Sequence, residues 1–148
     1  MKVKIKYLLI HVLSPLFLGV LIYVLFRSEN IRFTKWVFHN SEIISELQAF
    51  TVPYKVLIPE WSIYSLPDGL WAYAFSALIL KYQKFSMGFR ILLLLMIPFY
   101  ELAQLFGFAP GTFDILDLLI MAIAVLTSFY FNNLKFNNNE NQMEVKYG

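Results

Sequence analysis

The sequence predicts an all-α, polytopic membrane protein: a four-transmembrane-helix bundle with a short amphipathic helix in the first outer loop. Three observations predict it. Hydrophobic residues make up 59% of the chain and charged residues only 15%, against roughly 45–50% and 25% in an ordinary soluble domain. The apolar residues gather into runs of bilayer-spanning length, about 17–25 residues. Basic residues concentrate on one side of those runs, as the positive-inside rule requires. The same arithmetic excludes other classes. Fifteen Phe, nine Tyr and three Trp are too apolar for a solvated coil. The absence of Cys removes disulfide scaffolds, Cys-ligated zinc and Cys nucleophiles. A net charge of +2 gives no footprint for nucleic acid.

One transmembrane domain over residues 1–131 is expected, with spans at about 7–26, 63–80, 89–106 and 114–131. The first run, YLLIHVLSPLFLGVLIYVLF, holds no Asp, Glu, Lys or Arg. Lys2, Lys4 and Lys6 ahead of it resemble the basic region of a signal peptide. The run exceeds the 7–15 residues of a signal core and no small-x-small site follows, so it reads as a retained anchor. Ser14-Pro15 and Pro98 are expected to kink their helices. The second run is short. Residues 27–62 form the outer loop, in which Ile43, Ile44, Leu47 and Phe50 lie on one face of a helix over Ser41–Phe50, capped by Ser41 or Asn40. That helix lies in the membrane interface, covers the bundle mouth, or packs only on its own loop. Ile31–Phe38 is aromatic and basic and suits the headgroup region. Residues 51–67, with three prolines, read as extended. Residues 132–148 form an Asn-rich, polar, disordered cytoplasmic tail.

With the N-terminus inside, the inner segments carry Lys2, Lys4, Lys6, Lys81, Lys84, Arg90, Lys135 and Lys146, eight of the twelve basic residues. Arg27, Arg32, Lys35 and Lys55 fall outside. Both termini are therefore expected in the cytoplasm, and Arg27, at a helix end, is expected to snorkel.

Ionisable residues in apolar helices are expensive, about 2.5–3.5 kcal/mol at the centre, and so mark candidate sites. Glu101 and Gln104 share a face of the third span, and Asp114 and Asp117 share one on the fourth. A short connection makes these helices antiparallel neighbours. Asp68 opens the second span in the same layer. Asp68, Glu101, Gln104, Asp114 and Asp117 are therefore the ligand-binding candidates. Each has a structural alternative. Asp114 with Asp117 has capping-box spacing, and Thr112 is another cap. Asp68 with Ser65 has the same spacing, beside Pro67 in a first-turn position. Glu101 lies near a C-terminal end, where no cap explains it, and its structural alternative is an interhelical hydrogen bond with Gln104 as partner. His11 reads as a packing histidine and His39 as a solvated one. A carboxylate cluster can take Mg²⁺, Mn²⁺ or Ca²⁺ through oxygen, a cationic headgroup or sugar hydroxyls. No metal or cofactor is assigned, since two distant His make no metal site.

The stretch Tyr100–Leu119, YELAQLFGFAPGTFDILDLL, resembles the VanZ-like family of small bacterial integral membrane proteins. Its Glu-x-x-Gln helix, Pro-Gly loop and helix-opening Asp match Glu101, Gln104, Pro110, Gly111 and Asp117. Thr112 stands where the family often has Arg, and Met121 and Ala124 where it often has Asn and Gly. The resemblance implies four helices, an outward polar site and the bacterial inner membrane, and no reaction. No nucleophile–base pair can be named, so catalytic residues stay unassigned. The expected function is binding of a lipid-linked or envelope component, with membrane lipids as partners and no nucleic acid. Two alternatives are a structural or regulatory subunit assembling with itself or a membrane protein, and an oligomeric membrane-permeabilising effector.

Overall fold

In the computed structural model, residues 5–27, 41–81, 84–109 and 112–147 are described, with side chains to Asn132 and none over 41–43. Helices are the regular elements among the described residues, which contain no strands. Helix α1 spans Ile5–Phe26, α2 Ser41–Lys55, α3 Glu60–Tyr64, α4 Leu66–Lys81, α5 Met87–Leu105 and α6 Ile115–Tyr147. The expectations for Ile31–Phe38, His39, Asn40, Pro110 and Gly111 lie outside the described residues.

Among the described residues three helices are long and apolar enough to cross a membrane: Ile5–Phe26, Met87–Leu105 and Ile115–Asn132. Their surfaces fit an oily solvent. Phe17, Leu95, Ile123 and Leu126 are all more than half exposed, apolar surface that water would drive to associate. The second expected span differs. Residues 63–80 do not form one helix: α3 ends at Tyr64 and the 16-residue α4 begins at Leu66. At 1.5 Å per residue α4 is about 24 Å long, short of a hydrocarbon core of about 30 Å.

Helix α4 is nonetheless the centre of the molecule, packed against α1, α3, α5 and α6. Its sequence explains why. Gly69, Ala72, Ala74, Ser76 and Ala77 are all buried, and small residues let helix backbones approach where no hydrophobic force drives helices together. A Cβ at Gly69 would overlap Ile120 Cγ2 of α6, and one at Gly19 of α1 would lie 2.6 Å from Trp71 Cδ1 of α4. Both ends of the α1–α4 pair are tied. Tyr7 OH donates to Ala77 O (3.1 Å) and Asn132 Oδ1 (2.9 Å), while Arg27 reaches Asp68 at the far end. These contacts set α1 antiparallel to α4 and bring α6 alongside.

The remaining elements follow local chemistry. In α1, Pro15 has no N–H and its ring crowds the carbonyl four residues back. The backbone answers with a π-helical turn over Leu9–Leu13, in which Ser14 N–H reaches Leu9 O. Ser86 caps α5 by accepting from Phe89 N at 3.3 Å. The α5 C-terminus closes on Gly107 at φ 72°. Phe108 N donates to Ala103 O and Gly107 N to Gln104 O, the paired bonds of a Schellman motif.

Three expectations are corrected. Residues 51–67 are not extended: α2 runs through Pro53 to Lys55 and α3 forms over Glu60–Tyr64. Pro53 is tolerated in the last turn because α2 stops two residues later. Ile44, Leu47 and Phe50 do not share one environment: Ile44 is buried, whereas Leu47 and Phe50 are exposed. Beyond Asn132 the backbone of α6 stays helical to Tyr147, since extending an existing helix fixes only one residue per hydrogen bond.

The close approach at Gly69 yields a test. Gly69→Val should lower unfolding stability in detergent by roughly 1–3 kcal/mol, the usual cost of overpacking. Gly88→Ala, with open space around its Cβ position, should not lower the melting temperature and should raise it slightly, since Ala favours the helix. Thermal circular dichroism reads both.

Candidate functional site

The site region lies at the end of the bundle where α1 finishes and α4 begins. A helix terminus leaves its last carbonyls without intrahelical partners, and in apolar surroundings each such group is costly. Helix α2 supplies the donors. Gln48 Nε2 donates to Val24 O (2.8 Å) and Arg27 O (2.7 Å), and Thr51 Oγ1 donates to Leu25 O (2.7 Å). The inward stripe of α2 is therefore Ile44, Gln48 and Thr51, at helical spacing. The expected helix covers the end of α1 through polar groups, not through its apolar face.

Arg27 extends from that same terminus. It does not snorkel away. Its guanidinium donates to Tyr64 O, stands 3.8 Å from Asp68 Oδ2, and lies over the Tyr23 and Tyr64 rings at 4.7 and 5.4 Å. Arg27 Nε is buried with no hydrogen-bond partner among the described residues. One side chain thus joins α1, α3 and the first turn of α4.

The acids converge beside it from three helices. Asp68 of α4 lies within electrostatic range of Asp117 and Glu101, and Glu101 within range of Asp117 and Asp114. Glu101 is only 5% exposed. Its carboxyl is hydrogen-bonded by the Asp114 main chain, across the α5–α6 connection, in place of the expected Gln104 partner. Glu101 Oε2 and Asp117 Oδ1 are buried without a hydrogen-bond partner among the described residues. Asp114 is exposed and accepts from Leu116 N at 2.9 Å, so it caps α6. Gln104 is half-buried, and its main-chain carbonyl serves the Schellman turn. Asp68 is an ion-pair partner. Among the described residues no three Asp, Glu or His side chains form a group that could hold a metal ion.

His11 sits at the opposite end, its Nδ1 2.6 Å from Tyr73 OH and its ring 4.6 Å from that of Tyr7. It is a packed histidine, remote from the acids.

No family model, no curated protein and no solved structure matches the chain.

The sequence reading of the site omitted Arg27, Gln48 and Thr51. Two signals pointed to them. Arg27 closes an otherwise uncharged run, and Gln48 and Thr51 stand three apart on a helix flanked by apolar positions. Both suit a helix end that needs donors.

The capping role of Asp114 is testable. Asp114→Ala should cost about 1 kcal/mol in unfolding stability, and Asp114→Asn close to nothing, because Asn caps as well as Asp. Equal losses in both variants would show that the charge, not the cap, matters.

Proposed function

We propose that the chain is a VanZ-like, four-span protein of the bacterial inner membrane, with both termini cytoplasmic. Its outward-facing acidic and polar site binds a lipid-linked or envelope component, with no reaction assigned. The observation that carries the reading is the pair of buried, unpartnered oxygens, Glu101 Oε2 and Asp117 Oδ1. Buried polar atoms without partners are rare and call for an explanation, such as a missing ligand. Donors that would satisfy them are sugar hydroxyls or a headgroup ammonium. Asp68 and Gln104 extend the same layer, and Asp114 holds the α6 terminus in place.

Helix α4 is the fourth passage in this reading. It is tied to α1 at both ends, and α3 precedes it with one intervening residue. Its small, buried residues keep it inside a ring of the three longer helices, where length matters less than for a lipid-facing span. The absence of Cys makes the topology directly measurable. A membrane-impermeant maleimide applied to intact cells should label Phe108→Cys and leave Lys84→Cys unlabelled until the cells are lysed. The reverse pattern would invert the site to the cytoplasmic face.

The second reading, assembly with another copy or a partner, is favoured by α5. This helix packs sparsely on the others and exposes Leu92, Leu95, Met96 and Phe99.

To test the site, the wild type and a Glu101→Gln/Asp117→Asn variant are purified in mild detergent and the bound lipid is extracted. The variant should lose a co-purifying polar lipid by about tenfold or more, as two hydrogen bonds of about 1 kcal/mol each predict. An unchanged lipid profile in a folded variant would sink the reading.

A further inference from the structure

A cleft of about 280 Å³ opens where α2 crosses the end of α1, facing Tyr64 of α3. It adjoins the acid cluster through the Arg27–Asp68 pair, but its own lining is cationic. Two cations line it, Arg27 and Lys55. Both converge on one aromatic ring: the Arg27 guanidinium carbon is 5.4 Å and Lys55 Nζ 5.9 Å from the Tyr64 centroid. Among the described residues the ion-pair counterion in this region is Asp68, 3.8 Å from Arg27 Nη2, which leaves one of the two positive charges without an acidic partner there. Arg27 Nε is buried and has no partner among the described residues, so a donor and an uncompensated charge meet in the same cleft.

Leu25, Phe26 and Val52 form the apolar walls, while Gln48 and Thr51, which also line the cleft, are engaged with the α1 carbonyls. Beyond the rim, Phe50, Val56 and Leu57 are strongly exposed. A free inorganic anion would use the cations and leave these surfaces idle, whereas an amphiphile uses both. The volume lies at the low end of ligand pockets, about 300–1,000 Å³, which suits a headgroup and not a whole lipid. A phosphodiester carries one negative charge, which matches the one left over. It takes charge-assisted hydrogen bonds from both Arg and Lys.

We propose that this cleft binds the phosphate of an anionic membrane phospholipid, with Arg27 and Lys55 as its cationic contacts and its glycerol end against Leu25, Phe26 and Val52. The site stands on its own residues and does not depend on the role of Glu101 or Asp117.

The test is native mass spectrometry of the full-length chain in neutral detergent, titrated with short-chain phosphatidylglycerol, short-chain phosphatidylcholine or inorganic phosphate. The wild type should bind phosphatidylglycerol in preference to phosphatidylcholine. Lys55→Gln, on an exposed side chain, should weaken phosphatidylglycerol binding about five- to tenfold, the scale of one basic contact at a membrane surface. Arg27→Gln should weaken it further. Lys84→Gln, remote from the cleft, should not. Equal weakening by Lys55→Gln and Lys84→Gln, or none by Lys55→Gln, would overturn the site. Inorganic phosphate displacing the lipid at equal concentration would overturn the lipid assignment.

Discussion

The close approach of α4 to its neighbours is the constraint on which the rest of the structure depends. Gly69 admits Ile120 of α6, and Gly19 of α1 admits Trp71 of α4. In a bilayer, helices gain little by hiding apolar surface from lipid, so contact area between backbones has to supply the attraction. Helix α4 presents Gly and Ala where α5 presents Leu, and α4 is the helix that the others surround. Its polar side chains are handled locally. Ser76 Oγ turns back to Ala72 O at 2.6 Å, a bond that uses the helix's own carbonyl and asks nothing of a neighbour. Because α4 fixes the positions of α1 and α6, it also decides which of their ends meet. Arg27, Asp68 and Asp117 are neighbours for that reason.

The unpaired backbone at the end of α1 organises the next layer. Three carbonyls, those of Val24, Leu25 and Arg27, need donors, and Gln48 and Thr51 provide them. These bonds pin α2 across the helix end. Its remaining faces then point outward with Phe50, Val52 and Tyr54 exposed, an arrangement suited to a helix in the interfacial plane. The cleft between α1, α2 and Tyr64 is what is left over when a straight helix is laid across a helix terminus.

Several features were legible in the sequence because each depends on near neighbours along the chain. The helical class, the apolar runs, the Asp114–Leu116 cap and the gathering of acids at one end all follow from spacing and alternating direction. What was not legible depends on partners distant in the chain. The amphipathic pattern of Ser41–Phe50 left open what the helix packs on. Its contact with α1 is made by Gln48 and Thr51, because the partner is a set of orphan carbonyls. Asp68 had the spacing of a cap, yet an arginine 41 positions away claims it. The three prolines of 51–67 suggested extended chain, and each found a helical place: Pro53 in a last turn, Pro59 just before α3 and Pro67 in the first turn of α4.

Arg27 belongs to both charged features, and this has a thermodynamic consequence. On one side it compensates Asp68, which in turn lies in the field of Glu101 and Asp117. On the other it lines the cleft with Lys55. An anion in the cleft competes with Asp68 for the guanidinium. To the extent that it succeeds, the acid cluster becomes more negative in effect and attracts a cation or proton more strongly. By reciprocity, a cation held among the acids frees Arg27 and tightens the cleft's grip on an anion by the same factor. The shared arginine therefore couples the proposed cleft electrostatically to the acids around Asp68.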